Sequence, residues 1–249
     1  MIFNEKYQSK AIINNGAFGI IFKVVEIGTN NYFALKFISI FEKSEEEKNQ
    51  IEEDYNTESD VMKNMKNKYI IEYKENFFDI INNGFCIVME LCDGNLRNIL
   101  NNYKPNGLPL DLIIKIFKQL NEALKTMREN ELIHRDLKPE NILIKYTDTN
   151  KTNFDIKLAD FGLTAYNINS IIQTQSQRAG TPIYMAPEVE SLHYNNKCDL
   201  WSLGIILYEL YTGKYIFDSD ESRKKGKIIK EFNGKNILLM NFLIQKLKL

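Results

Sequence analysis

Strand-like runs crowd residues 1–90 of this chain and helical periodicity dominates the rest, and that segregation limits the fold more than any other feature. β-rich runs at 12–13, 20–27 and 32–40 are broken by Asn14-Asn15-Gly16 and Gly28-Thr29-Asn30-Asn31. The charged stretch 42–66 places Ile51, Tyr55, Met62 and Met65 at helical spacing, with Glu58 on the same stripe. Two further strands, at 69–78 and 84–90, flank the turn Asn82-Asn83-Gly84. Past Asp93-Gly94 the pattern turns helical, and 110–127 carries Ile113, Ile116, Phe117, Leu120, Leu124 and Met127 on one face. Short strands at 142–145 and 154–158, a polar segment at 162–180 and a strongly apolar helix at 197–211 follow. Strands first and helices after is the order of an α+β chain, not of alternating βαβ units.

A chain of 249 residues that is 44% hydrophobic suits one large domain or two small lobes with a sizeable core. Charged residues make up 26% and the formal net charge is -1, so neither a nucleic-acid partner nor acidic disorder is expected. Cys86, Cys92 and Cys198 lack metal-ligand spacing, which favours a reducing compartment over a disulfide framework. The opening Met1-Ile2-Phe3-Asn4-Glu5-Lys6 is no signal peptide, and the apolar run 201–211 carries Glu209 and is too short to span a bilayer. The expectation is a soluble, cytoplasmic protein with no membrane segment; its oligomeric state is not set by the sequence.

Chemistry gathers in a few short segments. Asn14-Asn15-Gly16-Ala17-Phe18-Gly19-Ile20-Ile21 sits between two strands, where Gly16 and Gly19 let backbone N–H groups approach phosphate oxygens. Alone, such a segment is equally an ordinary hairpin turn. Lys36 lies in a strand and by itself would point to solvent, but Glu58 on the inward stripe of a helix is costly unless paired. Lys36 is its natural partner; Glu52 and Glu53 are alternatives that sit less well on the stripe. The strongest segment is His134-Arg135-Asp136-Leu137-Lys138-Pro139-Glu140-Asn141. Phosphoryl transfer needs a carboxylate to accept or orient the proton of an attacking hydroxyl. It needs a cation against the transferring charge and an oxygen to help hold a metal. Asp136, Lys138 and Asn141 supply these between a helix and a strand. Asp160-Phe161-Gly162 follows a strand 24 residues after Asp136, and there Asp160 places a hard oxygen ligand against Mg²⁺. Gly180-Thr181-Pro182 and Ala186-Pro187-Glu188 come next, and three of the five prolines lie in these motifs.

Taken in order, these motifs resemble those of the eukaryotic protein kinase family, serine/threonine type, over nearly the whole chain. The resemblance implies a bilobal fold: a small β-rich N-lobe over 1–88 with a five-stranded sheet and one helix, a hinge at 89–95, and a larger helical C-lobe over 96–249. It implies ATP and Mg²⁺ as cofactors and a protein bearing Ser or Thr as the partner. Ile13, Ile21, Ala34 and Leu143 would sandwich the adenine, Met89 would be the gatekeeper, and the backbone of Glu90 and Cys92 would bond the adenine edge. Asn14, Gly16 and Gly19 would form the phosphate loop, and Lys36, held by Glu58, would touch the α- and β-phosphates. Asp136 would be the base, Lys138 would contact the γ-phosphate, and Asn141 and Asp160 would hold magnesium. Met62, Tyr73, His134 and Phe161 would stack as a spine, and Asp199 resembles the buried aspartate that braces the catalytic loop. Lys138-Pro139-Glu140 and Gly180-Thr181-Pro182 resemble serine/threonine rather than tyrosine kinases, with Thr181 contacting Asp136 and Lys138. Arg135 beside Asp136 implies ordering by a phosphate, with Ser176 and then Thr174 as candidate acceptors.

The pattern departs from the family in two places. Asn14 stands where the first loop glycine usually sits; Asn tolerates left-handed backbone, so a mild effect on ATP affinity is expected. The segment 241–247 resembles the helix before the family's late arginine, no residue here matches that arginine, and the final helices of the C-lobe have no counterpart. That truncation makes an inactive, ATP-binding pseudokinase the alternative to an active enzyme.

Overall fold

The computed structural model describes residues 1–16, 19–166, 180–186, 189 and 197–217. It divides into two compact units, Met1–Lys66 with Ile71–Cys92, and Asn67–Ile70 with Asp93–Leu249.

The first unit is a six-stranded antiparallel sheet with one helix. Its strands are β1 (Ile2–Phe3), β2 (Tyr7–Gly16), β3 (Gly19–Glu26), β4 (Tyr32–Ser39), β5 (Tyr73–Asp79) and β6 (Gly84–Glu90), in the order β1-β2-β3-β4-β6-β5. The five-stranded expectation misses β1, a two-residue strand too short to show any alternation. It is anchored from a distance: Phe3 is fully buried against Phe22 and Phe37, and Asn82 donates to the Ile2 carbonyl. Strand β5 starts at Tyr73 rather than at 69, because Ile70 bridges to Leu158 in the second unit's own chain set and leaves the sheet.

Alternation sorts the sheet's two faces. Phe22, Val24, Leu35, Phe37, Cys86 and Val88 point one way and close on Phe3 and Tyr7 in a single core cluster. Each such side chain is worth roughly 1.5–3 kcal/mol when fully buried. The other face takes α1 (Glu45–Asn64), which begins in a capping box of Ser44 and Glu47 and has three glutamates in its first turn, favourable at the positive end of the helix. Tyr55, Glu58, Val61 and Met62 are its buried stripe, and Tyr55 packs on Phe85 with ring centroids 4.6 Å apart.

The second unit contains β7 (Gly94–Asn95), α2 (Leu96–Tyr103), α3 (Leu110–Glu129) and β8 (Leu132–Ile133). A 3₁₀ turn (Pro139–Asn141), β9 (Ile142–Tyr146), β10 (Phe154–Leu158), β11 (Ala165–Tyr166) and α4 (Lys197–Thr212) follow. Helix α3 buries Ile113, Ile116, Phe117, Leu120, Ala123 and Met127; Ala123 replaces Leu124 on the expected stripe, since a 3.6-residue period from Leu120 reaches 123–124 and the small side chain takes the close approach. Helix α4 is buried nearly all round, from Cys198 to Leu210, so its one fully buried carboxylate, Glu209, demands a partner. Among the described residues no helix is long and apolar enough to cross a membrane, and all three cysteines are free thiols.

Candidate active site

In the first unit the register collects the expected nucleotide-binding side chains on one face of the sheet. Ile21 pairs with Lys36, Lys36 with Ile87, and Ala34 with Met89, so Ile21, Ala34, Lys36 and Met89 share the face that also receives α1. From α1, Glu58 meets Lys36: its two carboxylate oxygens lie 2.8 and 2.7 Å from Lys36 Nζ, with both residues about nine-tenths buried or more (5% and 4% exposed). A buried charge pair of this kind is stable only because each partner neutralises the other. Glu52 and Glu53, the alternatives, lie on the exposed side of α1.

The loop between β2 and β3 joins through Gly16 paired with Gly19; Ala17 and Phe18 lie outside the described residues. Gly19 sits at φ +116°, and a Cβ there would meet the Phe37 carbonyl at 2.5 Å, so only glycine fits. Nothing lies within 4 Å of a Cβ built on Gly16, which leaves an open backbone beside it. Asn14 is paired with Ile21, and Ile13 lies at the register shift between Ile12 and Asn14, 52% exposed. Met89 is buried; Glu90 takes a hydrogen bond on its side chain from the Glu72 amide at 2.9 Å, and Cys92 is half-buried at the unit's end.

In the second unit the loop 134–141 is a dense hydrogen-bonded net. Asp136, 4% exposed, has both carboxylate oxygens fully engaged. Oδ2 accepts from Lys138 Nζ at 2.5 Å and Asn141 Nδ2 at 3.1 Å; Oδ1 accepts from the Thr181 amide at 2.8 Å and its hydroxyl at 3.0 Å. Lys138 Nζ also donates to Thr181 Oγ1 at 2.9 Å. Gly180 makes the approach of Thr181 possible: its φ is +119°, and a Cβ would fall 2.7 Å from the Arg135 carbonyl.

The loop is held from behind. Asp199, in the first turn of α4, accepts the His134 and Arg135 amides at 2.9 and 3.0 Å. Burial pushes the Asp199 carboxyl up, against the opposing pull of His134 and these two amides. The fully buried His134 ring donates from Nε2 to the Ala159 carbonyl at 3.1 Å and accepts the Asp136 amide at Nδ1, which assigns its tautomer. It packs on Phe161 with centroids 5.4 Å apart; Met62 and Tyr73 belong to the first unit. Arg135, at φ +68°, donates from Nε to the Leu163 carbonyl. Ser176, Thr174 and Glu188 lie outside the described residues, as do residues 241–247.

Hairpin pairing of Leu158 with Ile142, together with a hydrogen bond from the Ala159 amide to the Asn141 carbonyl, brings Asn141 and Asp160 to the same end of β9 and β10. Asp160 has left-handed backbone, φ +67°. Both hydrogen bonds of the Asn141 side chain use its Nδ2, so its Oδ1 keeps the oxygen lone pairs that a hard cation needs. Among the described residues no group of three or more His, Cys, Asp or Glu is placed to hold a metal. An amide oxygen with one carboxylate instead suits Mg²⁺, which keeps waters and substrate phosphates as its remaining ligands. Leu143, one residue into β9, is half-buried and pairs with Asn95.

Sequence reading missed a second cluster beside this loop: Arg97, Tyr184 and Glu209 meet Glu140 of the motif. Its members come from four separate segments, so no local spacing announces it. The buried Glu209 in an apolar helix was the one available signal.

The chain matches the protein kinase domain family over residues 7–246. It is similar to the serine/threonine-protein kinase Nek1 of Mus musculus, 34% identical over 92% of this chain and 18% of that protein. It is also similar to the serine/threonine-protein kinase TIO of Arabidopsis thaliana, 36% identical over 84% of this chain and 15% of that protein. Serine/threonine-protein kinase 33 of Mus musculus is 31% identical over 91% of this chain and 46% of its own length. The chain thus spans less than half the length of each of these relatives. With the family matched almost end to end, this chain belongs to the eukaryotic protein kinase family, serine/threonine type.

Proposed function

We propose that this chain transfers the γ-phosphoryl group of ATP to a serine or threonine hydroxyl of a protein. The observation that carries the reading is the net on Asp136. One carboxylate oxygen already accepts a hydroxyl, that of Thr181 at 3.0 Å, while Lys138 stands 2.9 Å from the same hydroxyl oxygen. A substrate hydroxyl entering this position meets a proton acceptor and a cation together. In the reaction the acceptor oxygen forms a bond to the γ-phosphorus, the bond from that phosphorus to the β-bridging oxygen breaks, and ADP leaves. Asp136 takes or orients the hydroxyl proton, and Lys138 offsets charge on the phosphoryl oxygens.

On this reading Lys36, fixed by Glu58, contacts the α- and β-phosphates. The open backbone at Gly16 and Gly19, with Asn14 before them, lies along the phosphates. Ile13, Ile21, Ala34 and Leu143 flank the adenine, Met89 lies behind it, and the backbone of Glu90 and Cys92 bonds its edge. Asn141 and Asp160 are the residues that would hold Mg²⁺, whose charge neutralises phosphate oxygens when bound. Thr181 and Lys138-Pro139-Glu140 favour Ser and Thr over Tyr as acceptors, in line with the names of the relatives.

The test is transfer of labelled phosphate from ATP and Mg²⁺ to a panel of Ser, Thr and Tyr peptides, with Asp136→Ala as the control. Labelled Ser or Thr peptides that disappear with the variant are expected. Nucleotide binding without transfer by the unaltered chain would identify an ATP-binding scaffold instead.

A further inference from the structure

Glu209 is fully buried, and a carboxylate there is stable only with a partner that satisfies both oxygens. Arg97 of α2 supplies it as a fork: Nη1 reaches one oxygen and Nη2 the other, at 3.1 Å for the second. The same guanidinium donates from Nε to Glu140 at 2.7 Å and from Nη2 to the Tyr184 hydroxyl at 2.5 Å. Tyr184, itself 3% exposed, closes the ring by donating to Glu209 at 2.5 Å. Burial alone would lower the Arg97 pKa, but Glu209 and Glu140 outweigh it and keep the cation charged; burial likewise pushes the Tyr184 phenol up, so it stays a donor.

The cluster joins two parts of the active site that share no sequence. Glu140 lies between Lys138 and Asn141 in the catalytic loop. Tyr184 lies three residues after Thr181, and its amide bonds back to the Thr181 carbonyl at 3.0 Å. We infer that Arg97 is a positioning residue for the acceptor side of the reaction: by gathering Glu140, Glu209 and Tyr184 it holds the segment 180–186 against the catalytic loop, so that Thr181 stays on Asp136. Arg97 touches neither Asp136 nor Thr181 and acts through Tyr184 and Glu140. Lysine, whose donors all radiate from one nitrogen, lacks the planar fork that lets Arg97 bond both Glu209 oxygens in parallel while reaching Glu140 and Tyr184 from other nitrogens. The inference rests on the phosphotransfer reading for its functional meaning, while its structural content can be measured without activity.

The experiment compares the unaltered chain with Arg97→Met, Arg97→Lys and the double variant Arg97→Met/Glu209→Gln, which removes the stranded buried charge should the single variant fail to fold. Amide hydrogen exchange is read at 181–185 and, as an internal reference, across α3. In the double variant, exchange at 181–185 should rise about tenfold or more with α3 changed by less than about twofold. Arg97→Lys should fall between that variant and the unaltered chain. Peptide kcat/KM should drop about tenfold or more, while ATP hydrolysis to water, which needs no acceptor segment, and the KM for ATP stay within about twofold. Unchanged exchange at 181–185, a rise shared equally by α3, or parallel loss of peptide transfer and ATP hydrolysis would overturn the positioning role. If the unaltered chain transfers no phosphate, the proposed function fails, and the exchange measurement still decides the role of Arg97.

Discussion

The two units hold their charged groups in opposite ways. In the first, the chemistry comes down to one dry ion pair, Lys36 with Glu58, 22 residues apart and joined only because the sheet register and the α1 stripe point both side chains inward. In the second, Asp136 sits in a net of four donors, two of them from Lys138 and Asn141 within its own motif. The ion pair is shut away from water, so losing one member removes a countercharge that the other meets at hydrogen-bond distance. The net has redundancy, so its geometry survives single losses better than its chemistry does. The lesson is that removing a charge should be read first as stability in the first unit and first as rate in the second.

The largest expected effect breaks the net chemically while sparing it structurally. Asp136→Asn keeps size and acceptor oxygen but no longer takes a proton, so peptide phosphorylation should fall about 10²–10⁴-fold with little change in melting temperature. Steady-state kinetics beside a melting curve checks it; a fall of melting temperature as large as the fall in rate would refute the contrast.

Next is the ion pair. Lys36→Met takes away the cation that meets both oxygens of the buried Glu58 and should cost about 3–5 kcal/mol of stability in denaturant unfolding. Adding Glu58→Met should restore most of that stability yet leave transfer absent, which separates the structural from the chemical use of the pair. Recovery of activity in the double variant would show that Lys36 does not act on the nucleotide.

Smaller, and local to the net, is Gly180→Ala. The positive φ and the approach to the Arg135 carbonyl should cost about 1–3 kcal/mol. Thr181 should be displaced, so peptide kcat should fall while nucleotide affinity holds.

The smallest concerns the first unit's edge, where Asp79 accepts the Asn4 amide and both the amide and side chain of Asn82. Burial pushes the Asp79 carboxyl up, but the hydrogen bonds from Asn82, Asn4 and Ile81 together outweigh it and hold the carboxyl below its usual value. A pKa lowered on folding gives stability that is present above the unfolded value of about 3.9 and lost as pH falls through the folded one. Asp79→Asn should therefore cost about 1 kcal/mol near neutral pH, and the gap between the two unfolding curves should close below about pH 4. A gap that persists unchanged into acid would show that the charge of Asp79 contributes nothing.

Legibility followed distance along the chain. Asp136, Lys138 and Asn141 were readable because a short loop between a helix and a strand brings them together wherever the rest of the protein lies. Glu58 was readable through its stripe, since an inward carboxylate on an amphipathic helix asks for a cation. Strand β1 was not: two residues carry no periodicity, and Phe3 is a core residue only because Phe22 and Phe37 are there to receive it. The site's supports behaved alike. Asp199 was readable only through the family resemblance, Glu209 only as a lone carboxylate in an apolar helix, and Arg97 and Tyr184 not at all.

By itself, then, the sequence determined the chemical groups and the order in which they occur, because short-range backbone geometry places neighbours of a motif without outside help. Only the tertiary structure decided between the partners that the sequence left open or hid: Glu58 over Glu52 and Glu53 for Lys36, and Arg97 for Glu209. The reason is that a charge taken out of water must be matched within hydrogen-bond reach, and which side chain stands within that reach is set by packing across elements rather than by spacing along them.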